Sequence, residues 1–300
     1  MARVSVVVVS FESSHVLERC LTALPHATTT HDLEVWVVDN ASTDGSADLA
    51  ARVIPDSQVV RLPDNRGFAA GVNAGLARAT GAAVAVINPD AVVAPGAFDT
   101  LMDVLASTPS AGLVAPLVVH PSGAEEASVG HFPTAVRERN HALWLDRAFG
   151  LDGRTRAFPD ATDTVDWASG CAWLLRADTA RAVGPLDERF FMYFDDVDYC
   201  RRVWNAGWTV VATRRARVLH EAGHGSTRTS ALAAEGGLSG ATYFEKHLGA
   251  REAAVARRWL LRGWRLRALA HQAAGWLGRP TGAQRAARYR RSLELARSAS

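Results

Sequence analysis

Residues 189–202 read RFFMYFDDVDYCRR, which sets Asp195, Asp196 and Asp198 within four positions, directly after a run of aromatics. Two chemistries account for such acids. In the first turn of a helix they satisfy orphan N–H groups and complement the helix dipole, and Val197, Cys200, Arg201 and Trp204 do recur at helical spacing. That explains one or two of the three. A further carboxylate beside Phe190, Phe191, Tyr193 and Phe194 is a charge at risk of desolvation, which raises its pKa and suits a cation ligand or a proton acceptor. Cap and base both stay open on this stretch alone. Asp90, in INPDAVV, follows an apolar run and is either a turn former or a metal ligand. His220, in VLHEAGHGS, is either a core imidazole or a metal ligand that Gly223 and Gly225 let a partner approach. Arg66, placed before a helical pattern, is either a solvated charge or a phosphate contact aided by the helix N-terminus.

The elements that must hold these residues alternate. VSVVVVS (4–10) is a continuous β-branched run, as expected of a strand buried on both faces, and helical spacing follows over 15–24. Strands are expected at 33–42, 58–63, 82–90 and 112–120, with helices at 46–54, 68–79 and 96–107. Such alternation implies a doubly wound α/β sheet whose ligands sit at the carboxyl ends of the strands. Ser10, Asp39 and Asp90 all fall at expected strand ends. Residues 121–166 are polar and Gly/Pro-punctuated, a variable loop with a short helix. A late strand lies in 208–223, and the pattern is helical from about Ala241.

Glycines 67, 71 and 75, four apart, let a helix pack closely on a sheet. NRGFAAGVNAG is not a dinucleotide fingerprint, and Lys246, the single lysine, is no Walker lysine. Three scattered cysteines imply neither a disulfide framework nor a zinc site, consistent with a reducing cytoplasm. The first apolar run is too short for a signal sequence, and no run reaches the ~18 residues of a membrane span.

Seven segments in order, VSVVVVSF, VVDNASTDGS, NRGFAAGVNAG, INPDAVV, WASGCAWLLRAD, GPLDERFFMYFDDVDYCRRVWNAGW and VLHEAGHGS, resemble the inverting GT-A glycosyltransferases of family 2, especially bacterial rhamnosyltransferase-like members. The resemblance spans residues 4 to about 226. It implies a mixed GT-A sheet with helices on both faces as a catalytic domain over 1–226, followed by a helical segment over 227–300. By the same resemblance, Ser10 and Asp39 contact the nucleotide, Arg66 its diphosphate, and Asp90 with His220 a Mg²⁺ or Mn²⁺ ion on that diphosphate. Asp196 matches the general base, with Asp195 and Asp198 as electrostatic and capping neighbours and the aromatics as an acceptor wall. The implied donor is dTDP-rhamnose or a UDP-sugar, and the implied acceptor a lipid-linked or cell-envelope glycan. Two other readings are a sugar-nucleotide-binding protein without transferase activity and a sugar-1-phosphate nucleotidyltransferase. The latter calls for a Gly-rich, lysine-containing loop after the first strand, where SFESSHVLERC stands.

Charge is divided along the chain. Residues 251–300 hold twelve Arg against Glu252 and Glu294, a net charge of about +10, which leaves the first 250 residues at about −8 for a total of +2. The stretch 252–280 interleaves Trp259, Leu260, Leu261, Trp264, Leu266, Leu269 and Trp276 with Arg257, Arg258, Arg262, Arg265 and Arg267. It reads either as a helix packed on its own protein or, the reading favoured by the charge, as an interfacial helix. In the second case arginines meet anionic headgroups, while Trp259 and Trp264 supply the apolar part, on the inner face of the cell membrane. No nucleic-acid-binding motif accompanies the basic residues.

Overall fold

The computed structural model describes residues 1–53, 58–151, 153, 156–221, 230–277 and 281–298; Gly223 and Gly225 lie outside them. The valine run forms β1 (Arg3–Ser10), buried from Val4 to Ser10. Next come α1 (Ser14–Ala23), β2 (Asp32–Asp39), α2 (Ser46–Val53), β3 (Gln58–Arg61), α3 (Phe68–Leu76), β4 (Ala83–Ile87) and the short β5 (Ala91–Val93). The chain continues through α4 (Ala97–Ser107), β6 (Ala111–Val119), β7 (Val129–Gly130), α5 (Ala135–Ala142), α6 (Leu145–Phe149), β8 (Asp163–Thr164), β9 (Trp167–Ala168), β10 (Ala172–Arg176) and α7 (Ala177–Val183). It ends with α8 (Asp195–Asn205), β11 (Thr209–His220), α9 (Ser230–His247), α10 (Ala250–Trp276) and α11 (Gly282–Ser298).

The main sheet runs β3-β2-β1-β4-β10-β6-β11-β5, with β8 also on β11. Strands β1 to β4 pair in parallel, as the βα alternation requires. β10, arriving after the excursion of 121–166, enters antiparallel between β4 and β6 and makes the sheet mixed. Leu17 and Leu21 of α1 and Phe98, Leu101 and Val104 of α4 bury their apolar stripes with Val6, Val8, Ile87 and Val114 of the sheet. α3 lies so close to β1 that a Cβ on Gly71 would stand 2.5 Å from Val9 Cγ1 and one on Gly75 2.3 Å from Val7 Cγ1. Close packing thus accounts for these two glycines. Gly67, at the helix N-terminus, has φ of 89°, a conformation that side chains disfavour.

The chain divides into two compact units. The first, Met1–Gly130, Thr155–Glu188 and Asp195–Gly225, contains the sheet. The second, His131–Arg154, Arg189–Phe194 and Ser226–Ser300, is helical and takes in two segments that precede the 226/227 division expected from the sequence. Within it, α10 packs on α5, α9 and α11. Gly237 of α9 sits where a Cβ would meet the Trp264 ring, and Arg267 donates to the His141 carbonyl at 2.7 Å while lying over the Trp144 ring. Trp264 and Arg267 are therefore packing residues of this unit, a correction to their expected place among the headgroup and acyl contacts. The outward face of α10 instead carries Arg251, Arg258, Arg262, Arg265, Leu269 and Trp276, all exposed and spaced by three, four or seven residues. Among the described residues, no helix is long and apolar enough to cross a membrane.

The aromatics before the three acids belong to the helical unit. Phe190 is fully buried with Lys246 over its ring, Phe194 packs on Tyr243 and Phe244, and Ser239 donates to the Met192 carbonyl at 2.9 Å. Two of the four aromatics of the expected acceptor wall, Phe190 and Phe194, are thus absorbed by packing, and Tyr193 at 38% is its exposed member.

Candidate active site

Parallel strands end side by side, and their last residues define the floor. Ser10 pairs in register with Asp39, and Asp39 with Arg61. Both the Ser10 and Asp39 side chains are buried, and Ser10 Oγ and Asp39 Oδ1 have no hydrogen-bond partner among the described residues. A buried polar atom left so is costly unless a ligand satisfies it. Asp39 Oδ2 accepts from the Ser42 N–H at 3.1 Å. Asn40 reaches across to Asn65 Oδ1 at 2.9 Å and the Gly67 carbonyl at 3.0 Å, fixing the loop before α3. Glu12, with φ of 50°, accepts from the Thr43 N–H at 2.6 Å and so folds the β1 turn onto the β2 turn. Arg66 is half-exposed and ion-paired with Glu188. Its guanidinium already has a carboxylate on Nη2, so a phosphate there would share the arginine with Glu188.

A second cluster forms where β11 ends between two neighbours. β5 runs antiparallel to β11 with Ala91 opposite His220, and the Glu221 N–H donates to the Asp90 carbonyl at 3.1 Å. Asp90 is brought to His220 this way, with 3.2 Å between Oδ1 and Nε2 and side-chain exposures of 16% and 14%. On the other side β6 runs parallel to β11 up to Val119, after which the chain turns and the Glu126 N–H donates to the Val118 carbonyl. Glu126 Oε2 consequently lies 3.0 Å from His220 Nδ1. Burial works against charge on this imidazole, but the hydrogen bonds and charges of Asp90 and Glu126 outweigh it and push the pKa up to about 9. Glu126 lies in the variable stretch and was not expected as a site residue, because nothing local distinguishes Glu125-Glu126 from a solvated acidic pair. One carboxylate and one imidazole at a sheet edge fit an ion completed by substrate phosphates and water. Among the described residues there is no group of three or more His, Cys, Asp or Glu able to hold a metal without such help.

The three acids open α8, as the helical spacing predicts, and they divide the work. Asp198 is fully buried and accepts from Arg202 Nε at 3.0 Å, one turn on. Asp195 is buried, and that burial together with the adjacent Asp196 charge holds its carboxyl well above the usual range. Asp196 stands at the β9–β10 turn, where its Oδ2 accepts from the Gly170 N–H at 3.2 Å and its Oδ1 from the Val197 N–H at 2.8 Å. Burial raises its pKa against those two bonds. Gly170 also adjoins Phe68 of α3, and the neighbouring Cys171 carbonyl accepts from the Asn88 N–H at 2.9 Å. The turn therefore links the Asp90 segment to the Asp196 segment at one end of the sheet. Tyr193 and Phe194 enter α8 with φ of 66° and 61°, consecutive left-handed residues of a type that seldom adopts this region. All three cysteines are buried free thiols, and burial pushes Cys171 up to about 12, which leaves it protonated and unreactive.

The mixed sheet with its flanking helices is a GT-A-like α/β fold. The chain belongs to glycosyl transferase family 2, whose model matches residues 5–178, and it is a glycosyltransferase. It is 33% identical over 86% of its length, and 89% of the relative's, to an N-acetylglucosaminyl-diphospho-decaprenol L-rhamnosyltransferase of Mycobacterium tuberculosis. Among solved structures, a mannosyltransferase of Pyrobaculum calidifontis in complex with GDP-Man and Mn²⁺ superposes with a TM-score of 0.59 at 18% identity, covering 99% of this chain and 86% of that one. S. aureus TarS does so with a TM-score of 0.56 at 13% identity, covering 87% and 43%. Likeness at these identities concerns the fold.

Proposed function

We propose that this protein transfers a sugar, rhamnose by the analogy to its mycobacterial relative, from a nucleotide-diphosphate donor to a hydroxyl of a lipid-linked glycan, with inversion at the anomeric carbon. The observation that carries the reading is the placement of Asp39, Asp90, His220 and Asp196 at the same end of the sheet, with the last three linked through the Asn88–Cys171, Gly170–Asp196 and Asp90–Glu221 bonds. Ser10 and Asp39 receive the nucleoside through their unsatisfied oxygens. Asp90 and His220 hold Mg²⁺ or Mn²⁺, which when bound offsets the negative charge of the departing diphosphate. Asp196 accepts the proton of the attacking hydroxyl, and Gly170 and Val197 hold its carboxylate by their N–H groups. Asp195 flanks it as a buried carboxyl whose pKa burial and the Asp196 charge hold up, and Asp198 braces the first turn of α8 through its Arg202 pair. Single displacement by an acceptor on the face opposite the leaving group inverts the centre.

Residues 1–226 are taken as the catalytic part and residues 227–300 as the part that meets the membrane. The exposed Arg-Leu-Trp face of α10 supports peripheral attachment to an anionic inner leaflet, where a lipid-linked acceptor is anchored. The test combines thermal shift and transfer. dTDP-rhamnose, UDP-sugars and GDP-sugars are screened with and without Mn²⁺, followed by transfer to a prenyl-diphosphate-linked N-acetylglucosamine with the product anomer read by NMR. Stabilisation by one donor that requires Mn²⁺, and that is lost in Asp90→Ala and His220→Ala, is expected. Donor binding unaffected by chelator removes the metal from the mechanism, and a product that retains the donor's anomeric configuration removes the Asp196 role.

A further inference from the structure

We infer that Glu126 is a positioning residue for the metal site, orienting His220 from behind so that its Nε2 faces Asp90. The inference rests on the reading of Asp90 and His220 as ligands. His220 has two ring nitrogens on opposite sides, and the fold gives each a different carboxylate: Nε2 to Asp90 Oδ1 at 3.2 Å and Nδ1 to Glu126 Oε2 at 3.0 Å. A neutral imidazole ligates through one nitrogen and donates the proton on the other, and the acceptor of that proton sets both tautomer and ring orientation. Glu126 accepts from Nδ1–H, so that when the ring gives up its other proton to take the ion the lone pair is on Nε2, the nitrogen beside Asp90.

Glu126 is itself held for this task. Its N–H donates to the Val118 carbonyl at 3.0 Å, its own carbonyl accepts from the Ser128 N–H at 2.8 Å, and Val119 bridges to Glu125. The carboxylate is thus carried by the same β6 edge that runs beside β11, so ligand and orienting residue share one rigid frame. Glu126 Oε1 is buried without a hydrogen-bond partner among the described residues. A carboxylate kept so poorly satisfied costs stability, which a purely architectural role for Glu126 would not explain. Asp90 lies on the opposite side of the ring, so Glu126 acts through the imidazole and not as a ligand.

The test measures Mn²⁺ binding to the full chain by the EPR signal of free Mn²⁺, in the presence of the nucleoside diphosphate, dTDP, UDP or GDP, that best supports it in the wild type. Glu126→Ala is expected to weaken Mn²⁺ about 10- to 100-fold. Glu126→Gln keeps an acceptor for Nδ1–H and should recover much of that loss, a rescue that mere packing would not produce. Unfolding midpoints without metal check that both variants are folded, and ¹⁵N shifts of His220, recorded at a pH where the imidazole is neutral, should report the Nδ1–H tautomer in the wild type and a loss of that preference in Glu126→Ala. Mn²⁺ affinity unchanged or tighter in Glu126→Ala, while Asp90→Ala abolishes binding, overturns the role of Glu126 and leaves the metal site standing. A wild type that binds no Mn²⁺ with any of the three diphosphates overturns the metal reading, and this inference with it.

Discussion

Asp196 is half-buried and raised in pKa by that burial, yet it keeps two backbone donors. A carboxylate in that state is a stronger base than an ordinary aspartate while remaining oriented. Asp196→Asn should therefore lower kcat by about 10²- to 10⁴-fold with donor affinity nearly unchanged, as measured by steady-state kinetics beside donor titration. Near-normal turnover in that variant would mean that another group takes the proton. The sign of the pH dependence follows. Only the ionised form accepts a proton, so activity falls as pH drops through a pKa lying above the ordinary 3.8, and the acid limb of kcat should sit higher than an exposed aspartate would place it.

At the scale of elements, the loop after β2 is clamped by Asp44, which accepts from the Ser14 N–H at 2.8 Å and from Ser46 N–H and Oγ. Partial burial opposes its charge, but the bonds from Ser46 and Ser14 win and lower the pKa to about 2. Because the folded value lies below the ordinary 3.8, the contribution is present above that pH and is lost as pH falls from there toward about 2. Asp44→Asn should lower the melting temperature at neutral pH and flatten its decline across that window. An unchanged acid limb would show that the clamp is energetically idle. Helix packing makes a sharper demand. Gly75→Ala would drive a Cβ into Val7 of β1, and Gly237→Ala would drive one into the Trp264 ring. Each is expected to destabilise by about 1–3 kcal/mol or more through overpacking, visible as a shift in urea midpoint. Gly96→Ala, at φ of 70° with open space around it, should cost less than either.

The whole molecule carries its charge asymmetrically, and the face of α10 turned to solvent concentrates it. Arg258, Arg262 and Arg265 precede Leu269 and Trp276 along that face, with Trp276 81% exposed. Truncating before α10 would remove α11 with it and strip α5 and α9 of their packing partners, so point variants of the intact chain make the cleaner test. Replacing the three arginines by glutamate should abolish the salt-sensitive part of binding to anionic vesicles, about 1 kcal/mol per residue near the surface. Leu269→Ser with Trp276→Ser should remove a part that salt does not screen. Co-sedimentation across a salt series reads both, and equal binding of wild type to neutral and anionic vesicles would count against an electrostatic attachment.

Whatever depends on local pattern can be read along the chain itself. The β-branched run of β1, the alternation through α4, the helical spacing after Asp195 and the motif order that marks family 2 are all legible from neighbouring residues. So was the placement of Ser10, Asp39 and Asp90 near strand ends, since strands end where apolar runs do. Tertiary structure alone decided which distant residues meet. β10 pairs antiparallel between β4 and β6, a choice that no local preference encodes. Glu126 reaches His220 because β6 and β11 are neighbours 94 positions apart at that contact. Arg66 finds Glu188 and Trp264 finds Gly237 for the same reason. The aromatics beside the acids went to the packing of the helical unit while the acids went to the sheet unit. Side-chain partners across such separations are set by strand order and helix packing, and these are properties of the assembled core.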